Sequence, residues 1–159
     1  MSTTSTPSVR DHAPSGAPVP GRLDPRGPQV AAALTSVVLV AVLLLPAPVG
    51  TVLLAGQAVL FALGAARGVQ ATPYAWVFRT LVRPRLAPPT DWEDPEPPRF
   101  AQAVGLVFAL LGLVALLLGA TVLGQVAVGA ALVAALLNAV FGFCLGCEVY
   151  LLGRRLVVW

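Results

Sequence analysis

The chain has few charged side chains, no lysine and a single histidine. Only 11% of its 159 residues are charged, whereas 57% are hydrophobic. The mean hydropathy is correspondingly high, at +0.85. A soluble domain has about 25% charged and about 45–50% apolar residues. The composition therefore excludes a soluble globular domain and indicates a protein whose apolar surface lies in lipid.

The basic residues and the metal-binding residue types are also sparse. All ten basic residues are arginines scattered between apolar segments, so they form no basic face with interleaved aromatics, and we predict no nucleic-acid partner. The two cysteines, Cys144 and Cys147, lie far from the lone His12. A four-ligand metal site at the cysteines would therefore need a second subunit. We predict no metal and no cofactor, and the sequence leaves open whether the chain forms a homo-oligomer.

Four apolar runs are each long enough to cross a hydrocarbon core of about 30 Å, which takes around 20 residues. The short connections within the first and second pairs predict two antiparallel hairpins. Residues 1–27 are rich in Ser, Thr, Pro and Gly and predict a disordered tail. The fold class is thus an all-α membrane protein with one membrane domain, residues 28–158. The predicted spans are residues 28–45, 49–66, 100–119 and 123–143, the last continuing to about 153.

Residues 67–99 form the sizeable hydrophilic connection. A capping Thr72 and Pro73 predict the start of a short helix. Arginines lie off its apolar face, so we expect this helix to lie in the lipid headgroup plane, with a docking helix for a partner as the alternative. The rest of the loop is acidic and rich in proline, which predicts an extended linker with solvated carboxylates. The predicted apolar face comprises Tyr74, Val77, Phe78 and Leu81.

The arginines predict the orientation in the membrane. They precede the first span, lie in the 67–99 loop or follow the fourth span, and the two short connections contain no charge. By the positive-inside rule, both termini and the loop are expected on the cytoplasmic side of the plasma membrane. The arginines are Arg10, Arg22, Arg26, Arg67, Arg79, Arg83, Arg85, Arg99, Arg154 and Arg155.

The candidate site is the segment Phe141-Gly-Phe-Cys-Leu-Gly-Cys-Glu148, which contains both cysteines and the one acidic residue inside an apolar run. Residues 123–152 would extend about 45 Å as one helix, longer than a bilayer core requires. Either the helix tilts and projects, or it breaks between Gly142 and Gly146.

The two geometries predict different chemistry for Cys144 and Cys147. In an unbroken helix their Cβ atoms are about 5–6 Å apart, whereas a disulfide needs about 3.5–4.5 Å. If the helix breaks, Cys144 lies at a new helix N-terminus, where a Cys-x-x-Cys pair can alternate between dithiol and disulfide. The cytoplasm is reducing, so we do not expect a permanent structural disulfide. The alternatives are two small packed apolar residues and the metal site shared with a second subunit.

Three sequence segments resemble one known family. They are Asp24-Pro-Arg-Gly-Pro28, Pro98-Arg-Phe-Ala101 with Gly105, and Phe141-Gly-Phe-Cys-Leu-Gly-Cys-Glu-Val-Tyr150. They are similar to bacterial, mainly actinobacterial, membrane proteins known as domain of unknown function 4395. Members of that family occur alongside thioredoxin-like and sulfurtransferase proteins, so the resemblance implies such a partner and strengthens the thiol hypothesis.

The leading functional hypothesis is a thiol redox or sulfur relay through Cys144 and Cys147, with Glu148 and Tyr150 orienting or deprotonating the thiols. The expected partner docks on the 67–99 loop, and whether the relay is enzymatic stays open. The alternative is a structural membrane subunit whose cysteines only pack. A small-substrate permease is less favoured, because the spans contain few polar groups.

Overall fold

The computed structural model describes residues 21–157, where regular structure is helical apart from one bridge between Leu23 and Glu93. Four of the helices, α1, α2, α4 and α5, are long and apolar enough to cross a membrane, which confirms the predicted fold class. Residues 1–20 of the predicted tail lie outside the described residues. The helices are α1 (Arg26–Leu44), α2 (Ala47–Arg67), α3 (Pro73–Val77), α4 (Glu96–Leu117), α5 (Thr121–Phe141) and α6 (Leu145–Val157), and a 3-10 turn (Val69–Ala71), a π turn (Phe78–Val82) and a second 3-10 turn (Arg83–Arg85) flank α3.

All four long helices begin two to four residues earlier than predicted, and prolines explain two of these starts. Helix α2 begins at Ala47 with a proline in its first turn, and α4 begins at Glu96 with Pro97 and Pro98 directly after it. A first-turn N–H has no helical partner in any case, so proline costs nothing there. Glu96 also places its carboxylate at the positive end of the helix dipole. The hydropathy pattern marked where the apolar residues start, and the helix itself starts a turn before them.

The core lies where the four long helices meet. Leu39 of α1, Leu54 of α2, Ala109 of α4 and Val128 of α5 belong to one buried cluster, and each is at most 1% exposed. Helix α2 packs most broadly on α4, and α1 on α5. Helix α1 also contacts α2, and α4 contacts α5, as the predicted hairpins require. The antiparallel direction within each hairpin stays a prediction.

A buried glutamine connects α1, α2 and α3. Gln57 is 2% exposed. Its amide Nε2 donates to Thr35 Oγ1 at 3.5 Å, and its Oε1 accepts from the Tyr74 hydroxyl at 2.8 Å. Burial raises the pKa of Tyr74, so the phenol keeps the proton that it donates. The buried amide therefore has partners on both sides.

The short helix α3 turns its apolar face towards the bundle. Thr72 caps it as predicted, accepting the Ala75 N–H at 3.3 Å. Phe78, the first residue of the π turn after α3, is buried, and its ring lies against Gly27 of α1. Two of the residues expected on a lipid-facing stripe, Tyr74 and Phe78, thus contact protein. Leu81 is exposed. The predicted face found partners in Gln57 and Gly27, which helical spacing within the loop alone could not show.

Guanidinium groups fix the loop and the segment before α1. Arg99 at the start of α4 donates to the carbonyls of Ala65 and Ala66 at the end of α2. Residues 21–27, which composition placed in the tail, make defined contacts, since Leu23 and Glu93 exchange backbone hydrogen bonds of 2.8 and 2.9 Å. The other arginines that donate to backbone carbonyls are Arg22 to Trp92, Arg26 to Ala87, Arg79 to Gln70 and Arg85 to Leu81.

Tyr74→Phe should lower the free energy of unfolding by about 1–3 kcal/mol, because it leaves the buried Gln57 Oε1 without a partner. The measurement is thermal or denaturant unfolding of the purified protein in detergent. Tyr150→Phe is the matched control, since no hydrogen bond of its hydroxyl is seen within residues 21–157. Equal stability of the two variants would contradict the assigned role of Gln57.

Candidate functional site at the start of the last helix

The last apolar run is broken at Gly142. Helix α5 ends at Phe141, and Gly142 adopts a left-handed conformation with φ +66°. Its N–H donates to the Asn138 carbonyl at 3.0 Å, and the Phe143 N–H donates to the Leu137 carbonyl at 3.3 Å. This closure of a helix C-terminus favours glycine, which has no Cβ to clash. Of the two geometries that the sequence allowed, the unbroken helix is wrong and the broken one is observed.

Cys144 occupies the capping position of α6, directly before Leu145. Its carbonyl accepts the Glu148 N–H at 3.0 Å, and its Sγ accepts the Cys147 N–H at 3.3 Å. A helix start has N–H groups without helical partners, and a cap usually supplies a side-chain oxygen to one of them. Here the Cys144 sulfur takes the place of that oxygen. The positive end of the α6 dipole therefore lies at Cys144.

The two cysteines are joined. Cys144 and Cys147 form a disulfide with their Cα atoms 5.2 Å apart, within the usual range of about 4.4–6.8 Å. Both residues are half-buried. The break at Gly142 thus brings together the two sulfurs on which the sequence hypothesis depends.

Contacts with α4 hold α6 on the bundle. A Cβ added at Gly146 would lie 2.7 Å from both Cα and Cβ of Ala101, so the two backbones approach closely at this point. One turn further on, the ring of Tyr150 packs on Phe100 with centroids 5.6 Å apart. The glycine that the sequence suggested as a break point is instead the contact that seats the cysteine turn against α4.

The other two predicted site residues lie further from the chemistry. Glu148 is exposed, and its carboxylate makes no hydrogen bond or ion pair within the described residues. Tyr150 is half-buried, and its ring contacts Phe100. Within the described residues its hydroxyl makes no hydrogen bond to either sulfur. Their predicted roles in orienting or deprotonating the thiols stay predictions.

A cavity of about 290 Å³ lies beside Cys144. It is lined mainly by residues of α1, α2, α4, α5 and α6, and its polar side chains are Thr35, Gln102 and Asn138. Among the residues that the structure describes, no charged side chain lines it. The sequence analysis missed Gln102, although a polar residue inside an apolar span was a readable signal. The structure places its side chain against Gly64 of α2.

The described part of the chain offers no ready metal site. No group of three or more His, Cys, Asp or Glu side chains comes together between residues 21 and 157. The cysteine pair is engaged in its disulfide. The described residues thus place a disulfide at a helix start beside an uncharged cavity, and the metal site shared with a second subunit stays a prediction.

These features define a class: an all-helical protein with four helices of membrane-spanning length and a disulfide at the start of a further short helix. A family model described as "Domain of unknown function (DUF4395)" matches residues 23–155, and the chain belongs to that family. The match confirms the resemblance drawn from the sequence. No curated protein and no solved structure matches the chain.

Gly146→Ala should displace the start of α6 from α4 and lower the free energy of unfolding by about 1–3 kcal/mol, because its methyl group would overlap the Ala101 backbone. Thermal unfolding measures the stability, and the rate at which the cysteines are alkylated after reduction of the disulfide measures the displacement. Gly153→Ala is the control in the same helix, since no described atom lies within 4 Å of a Cβ placed there. If both variants unfold alike, the Gly146 contact does not seat the helix.

Proposed function

We propose that the chain is a membrane thiol carrier in which Cys144 and Cys147 alternate between disulfide and dithiol. The observation that carries the proposal is the position of the pair, a disulfide whose first sulfur caps a helix and accepts a backbone N–H. A thiolate at such a position is stabilised by the helix dipole. A stabilised thiolate is a good leaving group in disulfide exchange.

The two sulfurs differ in that only Cys144 lies at the helix start, and this difference sets the direction of the exchange. A thiolate of the partner attacks Cys147 Sγ, the disulfide bond breaks, and its electron pair leaves on Cys144 Sγ at the helix start. A second thiolate of the partner then attacks its own sulfur in the mixed disulfide and releases Cys147. Two electrons and two protons pass from the partner to the chain. In sulfur transfer, the Cys144 thiolate instead takes one sulfane sulfur from a partner persulfide and leaves the partner as a thiolate.

The proposed partner is a soluble thioredoxin-like or sulfurtransferase protein that docks on the 67–99 loop. Residues from both ends of this loop, Val69 and Pro98, line the same cavity as Cys144. The exposed Trp76 and Leu81 offer apolar contact on its outer side. Glu148, exposed one turn beyond Cys144, is placed to meet such a partner, and Tyr150 helps to hold the turn.

The proposed location is the plasma membrane, with both termini and the 67–99 loop in the cytoplasm. The four apolar helices are consistent with a membrane protein. The distribution of the arginines supports this orientation, because none lies in the connections α1–α2 or α4–α5. The cysteine pair follows the fourth span and is then on the cytoplasmic side, within reach of soluble thiol proteins.

The reduced cysteines should differ in reactivity. In Cys147→Ser, the lone Cys144 should react with iodoacetamide about tenfold faster at neutral pH than the lone Cys147 in Cys144→Ser, because only Cys144 lies at the helix start. Mass spectrometry after timed quenching measures both rates, and each variant is the matched control of the other.

The wild-type disulfide should also be reduced by thioredoxin, and a thioredoxin lacking its resolving cysteine should be trapped on Cys147. A pair that resists reduction in the folded protein, or two cysteines of equal reactivity, would contradict the carrier. Such a result would favour the alternative of a structural membrane subunit with a packed disulfide.

Topology is tested by reporter fusions at the C-terminus. A fluorescent protein that folds only in the cytoplasm should be bright, and alkaline phosphatase, which needs the oxidising side of the membrane, should be inactive. Fusions in the α4–α5 connection at Gly119 should give the opposite pattern and serve as the control. A bright Gly119 fusion with a dark C-terminal one would overturn the orientation.

A further inference from the structure

Cys144, but not Cys147, is among the residues that line the 290 Å³ cavity in the part of the chain described. The disulfide thus joins the Cys144 sulfur, whose residue lines the cavity, to the sulfur of Cys147, which does not line it. In the proposed carrier, a partner attacks Cys147 and leaves Cys144 as the thiolate. That thiolate then faces the cavity, which is where a second reactant would meet it.

The cavity lining restricts the chemistry of such a reactant. No charged side chain lines it within residues 21–157, and most of its wall is alanine, valine, proline or phenylalanine. A charged molecule would lose its hydration there without gaining a partner, which is costly. Ionic thiols and oxyanions are therefore poor ligands, and a neutral, largely apolar molecule is favoured.

The polar groups and the size of the cavity suggest a ring that carries carbonyl groups. The side-chain amides of Gln102 and Asn138 line it, and both residues are half-buried. Each amide has two N–H donors to offer a carbonyl oxygen. An apolar cavity of about 150 Å³ is enough to bind benzene, so this one has room for a substituted ring.

Small residues on α5 and α4 make this space. Ala131, Ala134 and Ala135 line one side, and Gly105 lines another. Phe61 of α2 occupies the position that a side chain at 105 would take, since a Cβ there would lie 2.8 Å from its ring. The wall of the cavity is thus mainly helical, and Val69 of the first 3-10 turn completes it.

From these observations we infer that the cavity binds a quinone, which oxidises the Cys144–Cys147 dithiol. The inference rests on the proposed carrier function and names its electron acceptor. Quinones are neutral two-electron acceptors that dissolve in membranes, so they match the uncharged lining, the two amides on it and the four long apolar helices.

The reaction balances within the pair and the quinone. Cys144 thiolate adds to a ring carbon and forms a C–S bond. Cys147 thiolate then attacks Cys144 Sγ, the S–S bond forms, and the C–S electron pair moves onto the ring. The ring takes up two protons and leaves as the hydroquinone. The dithiol is oxidised by two electrons, the quinone is reduced by two, and a thiol partner can then reduce the disulfide again.

The test uses the full chain in nanodiscs, reduced and freed of reductant, with a naphthoquinone that has one unsubstituted ring position. Hydroquinone formation, followed by absorbance under nitrogen, and disulfide formation, followed by alkylation, should proceed in equal amounts. Cys147→Ser should accumulate a covalent quinone adduct on Cys144, seen by mass spectrometry, whereas Cys144→Ser should give little adduct. The detergent-unfolded protein gives the background rate of any dithiol.

Cavity variants locate the reaction. Gln102→Leu and Ala134→Phe should slow quinone reduction about tenfold or more, because they misplace the ring relative to Cys144. Val133→Phe, on the exposed side of α5, is the matched control and should react as the wild type does. Reduction of the disulfide by dithiothreitol should be unchanged in all three, which also reports that they fold.

The two proposals fail separately. If dithiothreitol and thioredoxin reduce the disulfide but quinone oxidises the folded dithiol no faster than the unfolded one, the quinone inference is wrong and the carrier stands. Cavity variants that react at the wild-type rate would equally overturn the inference. If the disulfide exchanges with no thiol, the carrier proposal itself is wrong.

Discussion

The left-handed turn at Gly142 is the constraint on which the site depends. It ends α5 and allows α6 to begin afresh at Leu145 with Cys144 as its cap. Without this turn, the two cysteines would lie at helical spacing with their Cβ atoms about 5–6 Å apart, and Cys144 would lie towards a negative helix end. One residue without a side chain thus changes both the distance between the sulfurs and the sign of the local dipole.

The close approach of Gly146 to Ala101 complements that turn. The turn at Gly142 frees the cysteine segment from α5, and the glycine contact fixes it to α4 instead. The small residues around it serve two purposes, since some let backbones approach and others leave the cavity beside Cys144 open. Packing and cavity therefore depend on the same choice of small side chains on α4, α5 and α6.

Much of this architecture could be read from the sequence. Runs of apolar residues predicted the four long helices, and the glycines near Cys144 predicted where a break would fall. Every one of these helices begins earlier than predicted. At Ala47 and Glu96 the reason is that prolines and a glutamate belong to a first turn without being apolar. Hydropathy measures what a residue does in lipid, whereas a helix start depends on which N–H groups need partners.

Other features could not be predicted because they depend on distant residues. Phe78 lies against Gly27 of α1, and the orientation of Tyr74 depends on Gln57 in another helix. The cavity depends on five helices at once. Glu148 and Tyr150 were chosen for proximity in sequence, and proximity along a helix does not decide which face a side chain takes.

The arginines described in the loop and at the helix ends give a reason for the lack of lysine. Arg99 reaches two carbonyls at the end of α2 with one planar group, and other guanidiniums hold single carbonyls of the loop and its flanks. An ammonium ion has no such rigid fork. A guanidinium that donates to neutral carbonyls keeps its positive charge, so the same arginines brace the loop from within and still contribute their full cationic charge to the surface on which they lie.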